Sequence, residues 1–172
     1  MYNNGKHKED LLMTAYQNKV YLASPFFSDG QKDRIAQVVA LLKQNPTIDS
    51  DAIFNPQDHQ FEQEPFGSFK WQDAVFASDM RQVHKADVVV AILDYQLEDG
   101  LTEPDSGTVF EIGSAHEANI PVIMVQFGEN SQLNLMLARS YTAFFNDQDD
   151  IQGLKDYDFN NLEQKYTEKK VL

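Results

Sequence analysis

Cysteine is absent from the 172-residue chain, which excludes disulfides, thiolate metal ligands and a cysteine nucleophile. Long apolar runs are absent too, since the longest, within Ala86–Leu93 and Ile120–Val125, fall far short of the roughly 18 residues that cross a membrane. Residues 1–18 lack the apolar segment of a secretory signal. We therefore expect a cytoplasmic protein with one domain over residues 19–172 and a poorly ordered extension over residues 1–18.

Basic residues are scarce. The chain has 14 Lys and Arg against 27 Asp and Glu, for a formal net charge of −13 at pH 7. Nucleic-acid binding draws most of its affinity from Lys and Arg on phosphates, so this charge argues against a nucleic-acid partner. The acidity indicates either a solvated surface or an acidic pocket that prefers a neutral ligand.

Common cofactor and metal motifs are missing. There is no P-loop and no G-x-G-x-x-G, which argues against nucleoside triphosphates and dinucleotides as ligands. Three histidines, His59, His84 and His116, have no partner at metal-ligand spacing. The sequence therefore predicts neither a metal site nor an organic cofactor.

Short apolar runs alternate with segments of helical period, a pattern typical of an α/β fold with a parallel sheet. The predicted strands are Val20–Ala23, Ala52–Phe54, Ala86–Leu93, Pro121–Val125 and Tyr141–Phe145. The predicted helices are Asp29–Gln44, Ser68–Lys85, Ser106–Asn119 and a last one within Asn160–Lys170. The second helix carries an apolar stripe of Phe69, Phe76, Met80 and Val83.

Five strands with right-handed helical crossovers predict a single-domain, flavodoxin-like, three-layer sandwich. Its five-stranded, mainly parallel sheet should have the order 2-1-3-4-5. Ligands of such sheets bind beyond the carboxyl ends of the strands, where the strand order reverses. The chain segments at that point are Ser24–Ser28 and Asp94–Asp105, with Gly128–Asn134 close by.

Two carboxylates near this edge are candidates for chemistry. Glu111 lies in the segment Asp105–Gly113, where Asp105 is placed to cap a helix. Asp79 flanks the apolar stripe of its own helix, which is expected to be buried. Each has a structural alternative, because Glu111 can complement the helix dipole and Asp79 can be a solvated rim residue. Spacing alone favours those alternatives.

Four stretches taken together resemble the nucleoside 2'-deoxyribosyltransferases over most of residues 19–159. They are Val20–Asp29, Trp71–Met80, Asp105–Gly113 in the pattern D-x-G-x-x-x-E-x-G, and Asn134-Leu135-Met136. The resemblance implies transfer of 2-deoxyribose from a deoxynucleoside to a free nucleobase. The opening Ser24–Asp29 is similar to the purine-specific branch, so a preference for purines is expected.

The resemblance also implies a double displacement through a covalent ester of Glu111, with Asp79 as acid and then base. Tyr21 is expected to hydrogen-bond Glu111, and Asp105 to accept hydrogen bonds from the sugar. The remaining residues implied in substrate binding are Phe27, Gln60, Asn134 and Met136. Asn134 would come from a neighbouring chain of a homo-oligomer, either a hexamer or a dimer-based assembly.

One geometric condition accompanies this mechanism. Asp79 lies about two turns, roughly 9 Å, before the predicted end of its helix. A regular crossover helix would place it halfway along the sheet, so the helix must tilt or be displaced for Asp79 to meet Glu111. The extra residues Leu101–Pro104 of the acidic loop are expected to reshape the lid over the base.

Two other functions stay open. One is a hydrolase of deoxynucleoside 5'-monophosphates, which must hold a phosphate with Arg, Lys or a backbone nest. The first loop carries Phe26 and Phe27 and has no Arg that could hold a phosphate. The other is a non-catalytic, flavodoxin-like ligand-binding domain. For Asn134 the structural alternative is that it caps a short helix.

Overall fold

A parallel sheet organises the protein, whose computed structural model describes residues 16–95, 104–129 and 132–171. The strands of these residues are β1 (Asn18–Ala23), β2 (Ile48–Phe54), β3 (Val88–Asp94), β4 (Val122–Phe127), β5 (Gln132–Leu133), β6 (Ala143–Asn146) and β7 (Lys170–Val171). Five of them form an all-parallel sheet in the order β2-β1-β3-β4-β6, while β5 pairs with β7. The predicted architecture and strand order are confirmed.

Helices cover both faces of the sheet. They are α1 (Asp29–Leu42), α2 (Phe69–Val83), α3 (Ser106–Glu117) and α4 (Leu135–Ala138), with 3₁₀ turns at Pro56–Asp58 and Ile151–Lys155. On one face α1 and the second 3₁₀ turn pack on the sheet, and on the other face α2, α3 and α4 do so. Every residue of β3 is buried, as a strand covered on both faces requires.

Local sequence sets where the helices begin. Ser28 forms a capping box with Gln31, in which each side chain accepts from the other's backbone N–H. Ser68 caps α2 by accepting from the N–H of Trp71. Because these caps lie just after the strands and loops of the carboxyl edge, they fix the helix starts beside the predicted ligand site. None of the helices in the described parts of the chain is long and apolar enough to cross a membrane.

Two sequence predictions about helices are wrong. The segment Asn160–Lys170 forms turns and then β7. The N–H of Lys165 donates to the carbonyl of Thr142, and its carbonyl accepts from the N–H of Phe144. The open edge of β6 therefore takes the backbone hydrogen bonds that a helix would have formed internally.

The second error concerns the apolar stripe of α2. Val83 is fully buried and Met80 partly so, but Phe69 and Phe76 are 77% and 57% exposed. Helical periodicity identifies which residues share a face of α2. Only the carboxyl-terminal end of α2 buries that face against the sheet. The outer half of the stripe stays uncovered in the single chain.

A buried ion pair lies at the carboxyl end of β3. The guanidinium Nη2 of Arg34, from α1, is 2.6 Å from Oδ2 of Asp94, and the two side chains are 14% and 1% exposed. The pair therefore holds α1 to the edge at which the strand order reverses.

The predicted extension over residues 1–18 lies mostly outside the described residues, which begin at Tyr16. Its hydroxyl donates to Asp87 over 3.0 Å, and Asn18 opens β1. The predictions for residues 96–103 of the acidic loop also lie outside the described residues, and with them most of the inserted segment.

Candidate active site

A tyrosine from the sheet and a glutamate from a helix meet on the α2–α3 face. Tyr21 is fully buried in β1, and its hydroxyl donates to Oε1 of Glu111 over 2.5 Å. Residues alternate across the sheet, so Tyr21 faces α3 while its neighbours Val20 and Leu22 face α1. The predicted hydrogen bond is present, and it holds the Glu111 carboxylate against the sheet.

Asp79 lies near this pair on α2. It is half-buried, and its Oδ1 atom is enclosed with no hydrogen-bond partner among the described residues. The charge of Asp79 contributes to the raised pKa values of both Glu111 and Tyr21, so the three groups lie within electrostatic reach of one another. α2 packs beside α3, and Phe76 and Phe110 mark the contact with ring centroids 6.0 Å apart. The tilt or displacement of α2 that the sequence leads us to expect stays a prediction.

Both carboxyl groups are harder to ionise than usual. Burial raises the pKa of Glu111 to about 7, and the charges of Asp79 and Asp105 add to that rise, while the Tyr21 hydrogen bond opposes it. Burial also raises the pKa of Asp79 to about 6. For Tyr21, burial and then the Glu111 charge raise the pKa, so its hydroxyl remains a donor. Paired carboxyl groups with shifted pKa values are typical of acid/base sites.

Asp105 begins α3 as its N-cap, as the sequence predicts. Its Oδ2 atom accepts from the backbone N–H of Thr108 over 2.8 Å and from the Thr108 hydroxyl over 3.1 Å. A Cβ added at Gly107 would lie 3.1 Å from that same oxygen, so glycine leaves room for the capping carboxylate. The predicted contact of Asp105 with a sugar stays a prediction.

Two loop residues predicted to bind substrate lie beyond the ends of the first two strands. Phe27 is 75% exposed and stacks on Phe26 with ring centroids 5.4 Å apart. Gln60 is held at two points, since its Nε2 donates to the carbonyl of Pro56 and its own carbonyl accepts from the indole N–H of Trp71, each over 2.7 Å. The loop that carries Gln60 is thereby tied to α2, the helix of Asp79.

Asn134 and Met136 lie on the far side of α3 from α2. Asn134 caps α4, its Oδ1 accepting from the N–H of Met136 over 2.9 Å, so the capping alternative is observed. The cap leaves the exposed Nδ2 group available to a ligand. No hydrogen bond joins Asn134 to Glu111 within the described parts of this chain. Met136 borders an apolar cavity of about 480 Å³ between α3 and α4.

One residue of the site was missed by the sequence analysis. The ring of Phe54 stacks on Tyr21 with centroids 5.7 Å apart and an interplanar angle of 13°, and on its other side it stacks on His59. Phe54 ends β2 and is the register partner of Tyr21. The strand order predicted from the sequence makes β1 and β2 neighbours. Which residues of the two strands pair depends on the register, which the sequence does not give. Among the described residues, no cluster of three or more His, Asp or Glu could hold a metal ion.

Two partly buried carboxyl groups with raised pKa values, one braced by a tyrosine, define the kind of site that glycosyl-transferring and glycoside-cleaving enzymes use. The profile of the nucleoside 2-deoxyribosyltransferase family matches residues 20–162. A nucleoside deoxyribosyltransferase from Limosilactobacillus fermentum is 34% identical over 155 residues, which are 83% of this chain and 87% of that protein. The chain therefore belongs to the nucleoside 2-deoxyribosyltransferase family, and it is a transferase.

Solved structures agree with this assignment. The 2-deoxyribosyltransferase of the psychrotolerant bacterium Bacillus psychrosaccharolyticus superposes with a TM-score of 0.71 at 30% identity, covering 87% of this chain and 98% of that one. A CMP N-glycosidase from Clostridium botulinum shares the fold, with a TM-score of 0.50 at 15% identity over 80% of this chain and 96% of that one. Enzymes of different activity thus use this fold, so the details of the reaction must be argued from the site.

The raised pKa of Glu111 predicts a stability effect with a definite sign. Between about pH 4.5 and 7 the folded state binds more protons than the unfolded state at this carboxyl, so wild-type stability falls as pH rises through that window. Glu111→Gln removes the group that titrates. The variant should melt about 5–10 °C above wild type at pH 8, since the shift is worth at most about 3 kcal/mol. Near pH 4 the gain should vanish.

Melting curves at pH 4, 6 and 8 measure this effect. The matched control is Glu117→Gln, because Glu117 is exposed on the same helix. A gain for Glu111→Gln that is equal at pH 4 and pH 8 would show that burial of the charge is not its cause.

Proposed function

We propose that the protein moves 2-deoxyribose from a deoxynucleoside to another nucleobase through a covalent deoxyribosyl ester of Glu111. The observation that carries the proposal is the buried group of Tyr21, Glu111 and Asp79 at the ligand-binding side of the sheet. A nucleophile must be held in one rotamer facing the reacting carbon, and the 2.5 Å bond from Tyr21 supplies that constraint.

The proposed reaction has two half-reactions of the same type. A carboxylate oxygen of Glu111 attacks C1' from the face opposite the base as the bond from C1' to the base nitrogen breaks. The transition state has oxocarbenium character, which the absent 2'-hydroxyl makes easier to reach. Asp79 gives its proton to the departing base. The incoming base then attacks C1', returns a proton to Asp79 and releases Glu111.

The pKa values determine the pH range in which Glu111 and Asp79 have the protonation states that the reaction needs. Glu111 must be ionised and Asp79 protonated, with pKa values of about 7 and about 6 in the free chain. Glu111 is mostly ionised only above about pH 7, and Asp79 is mostly protonated only below about pH 6, so the form with both groups ready is a minority species. The fraction of that species is largest between about pH 6 and 7, so the rate should peak there and fall on either side. The chemistry uses carboxyl groups alone and needs neither a metal nor an organic cofactor.

Other residues are assigned to substrate binding. We place the sugar hydroxyls at Asp105, which caps α3 one and a half turns before Glu111. The base would stack on the exposed ring of Phe27 and hydrogen-bond Gln60, whose loop the indole of Trp71 holds in place. A 5'-phosphate is less well provided for, because Arg34, a cation at this edge of the sheet, is committed to the buried pair with Asp94.

The nucleophile is tested by trapping the ester. Mixing the enzyme with a deoxynucleoside alone, followed by rapid acid quench and mass spectrometry, should give a deoxyribosyl adduct on the peptide that contains Glu111. Glu111→Ala should lose both adduct and transfer, whereas Glu117→Ala on the same helix should keep both. Intersecting initial-rate patterns with no adduct would indicate direct transfer between two bound bases and would sink the covalent mechanism.

Base preference is tested with pairs of donors and acceptors. The segment Ser24–Asp29 resembles the purine-specific branch, so deoxyinosine plus adenine should give deoxyadenosine much faster than any exchange with thymine or cytosine. Thymidine serving equally well as donor would place the enzyme with broad-specificity relatives. Release of deoxyribose 5-phosphate from deoxynucleoside 5'-monophosphates, with no exchange of bases, would instead identify a hydrolase.

We further propose that the enzyme is a homo-oligomer in which Asn134 completes the site of a neighbouring chain. What supports this is a run of exposed apolar side chains across α2, α3 and α4, namely Phe69, Phe76, Phe110, Leu135 and Met136. The rings of Phe76 and Phe110 are in contact, and Leu135 and Met136 line the apolar cavity between α3 and α4. Exposed apolar surface of this kind is typical of protein interfaces.

Asn134 suits the 5'-hydroxyl of a neighbouring chain's substrate. A neutral hydroxyl calls for a neutral amide, and the Nδ2 group left free by the α4 cap can donate to it. Closed symmetry would bring the exposed α4 of one chain to the helices that carry Asp79 and Glu111 in the next.

Subunit complementation tests the shared site. Glu111→Ala and Asn134→Ala should each be nearly inactive, but mixing them under conditions of subunit exchange should recover about a quarter of wild-type activity for random pairing in a dimer. The recovered sites unite the intact Glu111 of one chain with the intact Asn134 of another. If native mass spectrometry shows mixed oligomers and no activity returns, Asn134 acts within its own chain or has no role.

A further inference from the structure

The short strand β7 is joined to the segment that carries Asn134. It forms a parallel ladder with β5, in which the residue pairs are Gln132–Lys170 and Leu133–Val171. Asn134 follows β5 directly and begins α4. We propose that β7 is a positioning element, which sets the place of Asn134 and Met136 by backbone pairing. This inference rests on the proposed role of Asn134 at the 5'-hydroxyl.

The chain leading into β7 is itself fixed to the main sheet. Backbone hydrogen bonds of 3.1 and 2.9 Å join Lys165 to Thr142 and Phe144, at the open edge of β6. Farther along, the N–H of Thr167 donates to the hydroxyl of Tyr141 over 3.2 Å. The segment from residue 165 to β7 therefore links two structures, the rigid parallel sheet at one end and β5 at the other.

The link to β5 acts through backbone atoms. The side chains of Lys170 and Val171 are exposed, and Val171 is 48% exposed although it is apolar. A cleft of about 240 Å³ lies between this segment and α4, lined by residues such as Ala138, Arg139 and Lys169. Because side-chain packing across this cleft is incomplete, the β5–β7 ladder is the direct mechanical connection.

β5 needs such a connection on its outer side. Its inner side is held by Leu133, which is 1% exposed in the core with Tyr21 and Ile112. A single buried side chain fixes the depth of β5 but leaves rotation about that anchor to be fixed elsewhere. The Nδ2 group of Asn134 must point at the substrate of another chain, and small displacements of a positioned group cost much of its effect. The ladder with β7 removes that rotation.

The test removes the backbone donors of β7 without shortening the chain. Proline has no N–H, so Lys170→Pro/Val171→Pro breaks the ladder, and Lys170→Ala/Val171→Ala serves as the reference that keeps both N–H groups. With deoxyadenosine as donor, kcat/KM of the proline pair should fall about tenfold below the alanine pair, the value of one neutral hydrogen bond. With 2',5'-dideoxyadenosine, which lacks the 5'-hydroxyl, the two pairs should be equal.

A second comparison is made in the Asn134→Ala variant. In that background the proline pair should cause no further loss with deoxyadenosine, because the group it positions is gone. Equal rates of the proline and alanine pairs on both donors would overturn the inference. So would equal losses on both donors, since a merely structural effect would not depend on the 5'-hydroxyl. If the proline pair lowers the melting temperature, a chain shortened to end at Lys169 is measured in its place, with the same expected results.

Failure of this inference differs from failure of the proposed function. A wild-type enzyme that exchanges bases while the proline and alanine pairs behave alike removes the role of β7 alone. If Asn134→Ala shows no loss specific to the 5'-hydroxyl, the role of Asn134 is removed with it. Absence of base exchange in the wild type would overturn the proposed function itself.

Discussion

The hydrogen bond from Tyr21 to Glu111 is the contact on which the site depends. It joins the fully buried side chain of Tyr21, on β1, to the carboxylate of Glu111, on α3. Without this bond the carboxylate would be free to turn toward solvent. Burial raises the pKa of this carboxyl and the tyrosine hydroxyl lowers it again, so the group can still ionise near neutral pH. The stack of Phe54 on Tyr21 extends the support to the edge strand β2. The rotamer of Glu111 is thus set by three elements of the fold.

Much of the fold follows from the sequence because the signals are local and agree with one another. The β-branched run in β3, the cap at Asp105 and the alternation of strands and helices each predict what is found. The pair of candidate catalytic carboxyl groups does not follow in this way. Spacing alone favours a structural role for Glu111 and Asp79, because the proximity of two carboxylates on different helices depends on helix packing that the spacing does not encode.

The errors share a physical cause, which is that tertiary contacts decide where an edge is paired or an apolar face is covered, and the local sequence does not specify those contacts. The segment around Lys165 has helix-forming residues, yet the open edge of β6 takes its backbone groups. Phe69 and Phe76 have the right period for a core, yet no other part of the described chain buries them. Phe54 was overlooked because strand order without register does not say which residues stack.

The hydrogen bond between Trp71 and Gln60 has a spectroscopic consequence. Trp71 is the sole tryptophan of the chain, so the intrinsic emission of the protein comes from one indole, whose N–H is bonded to the loop that carries Gln60. Its ring also packs against Phe66 of the same loop, with centroids 4.6 Å apart. Any rearrangement of that loop changes the polarity around this one chromophore. The protein therefore carries a built-in optical signal for movement of this loop, readable in stopped flow without a label.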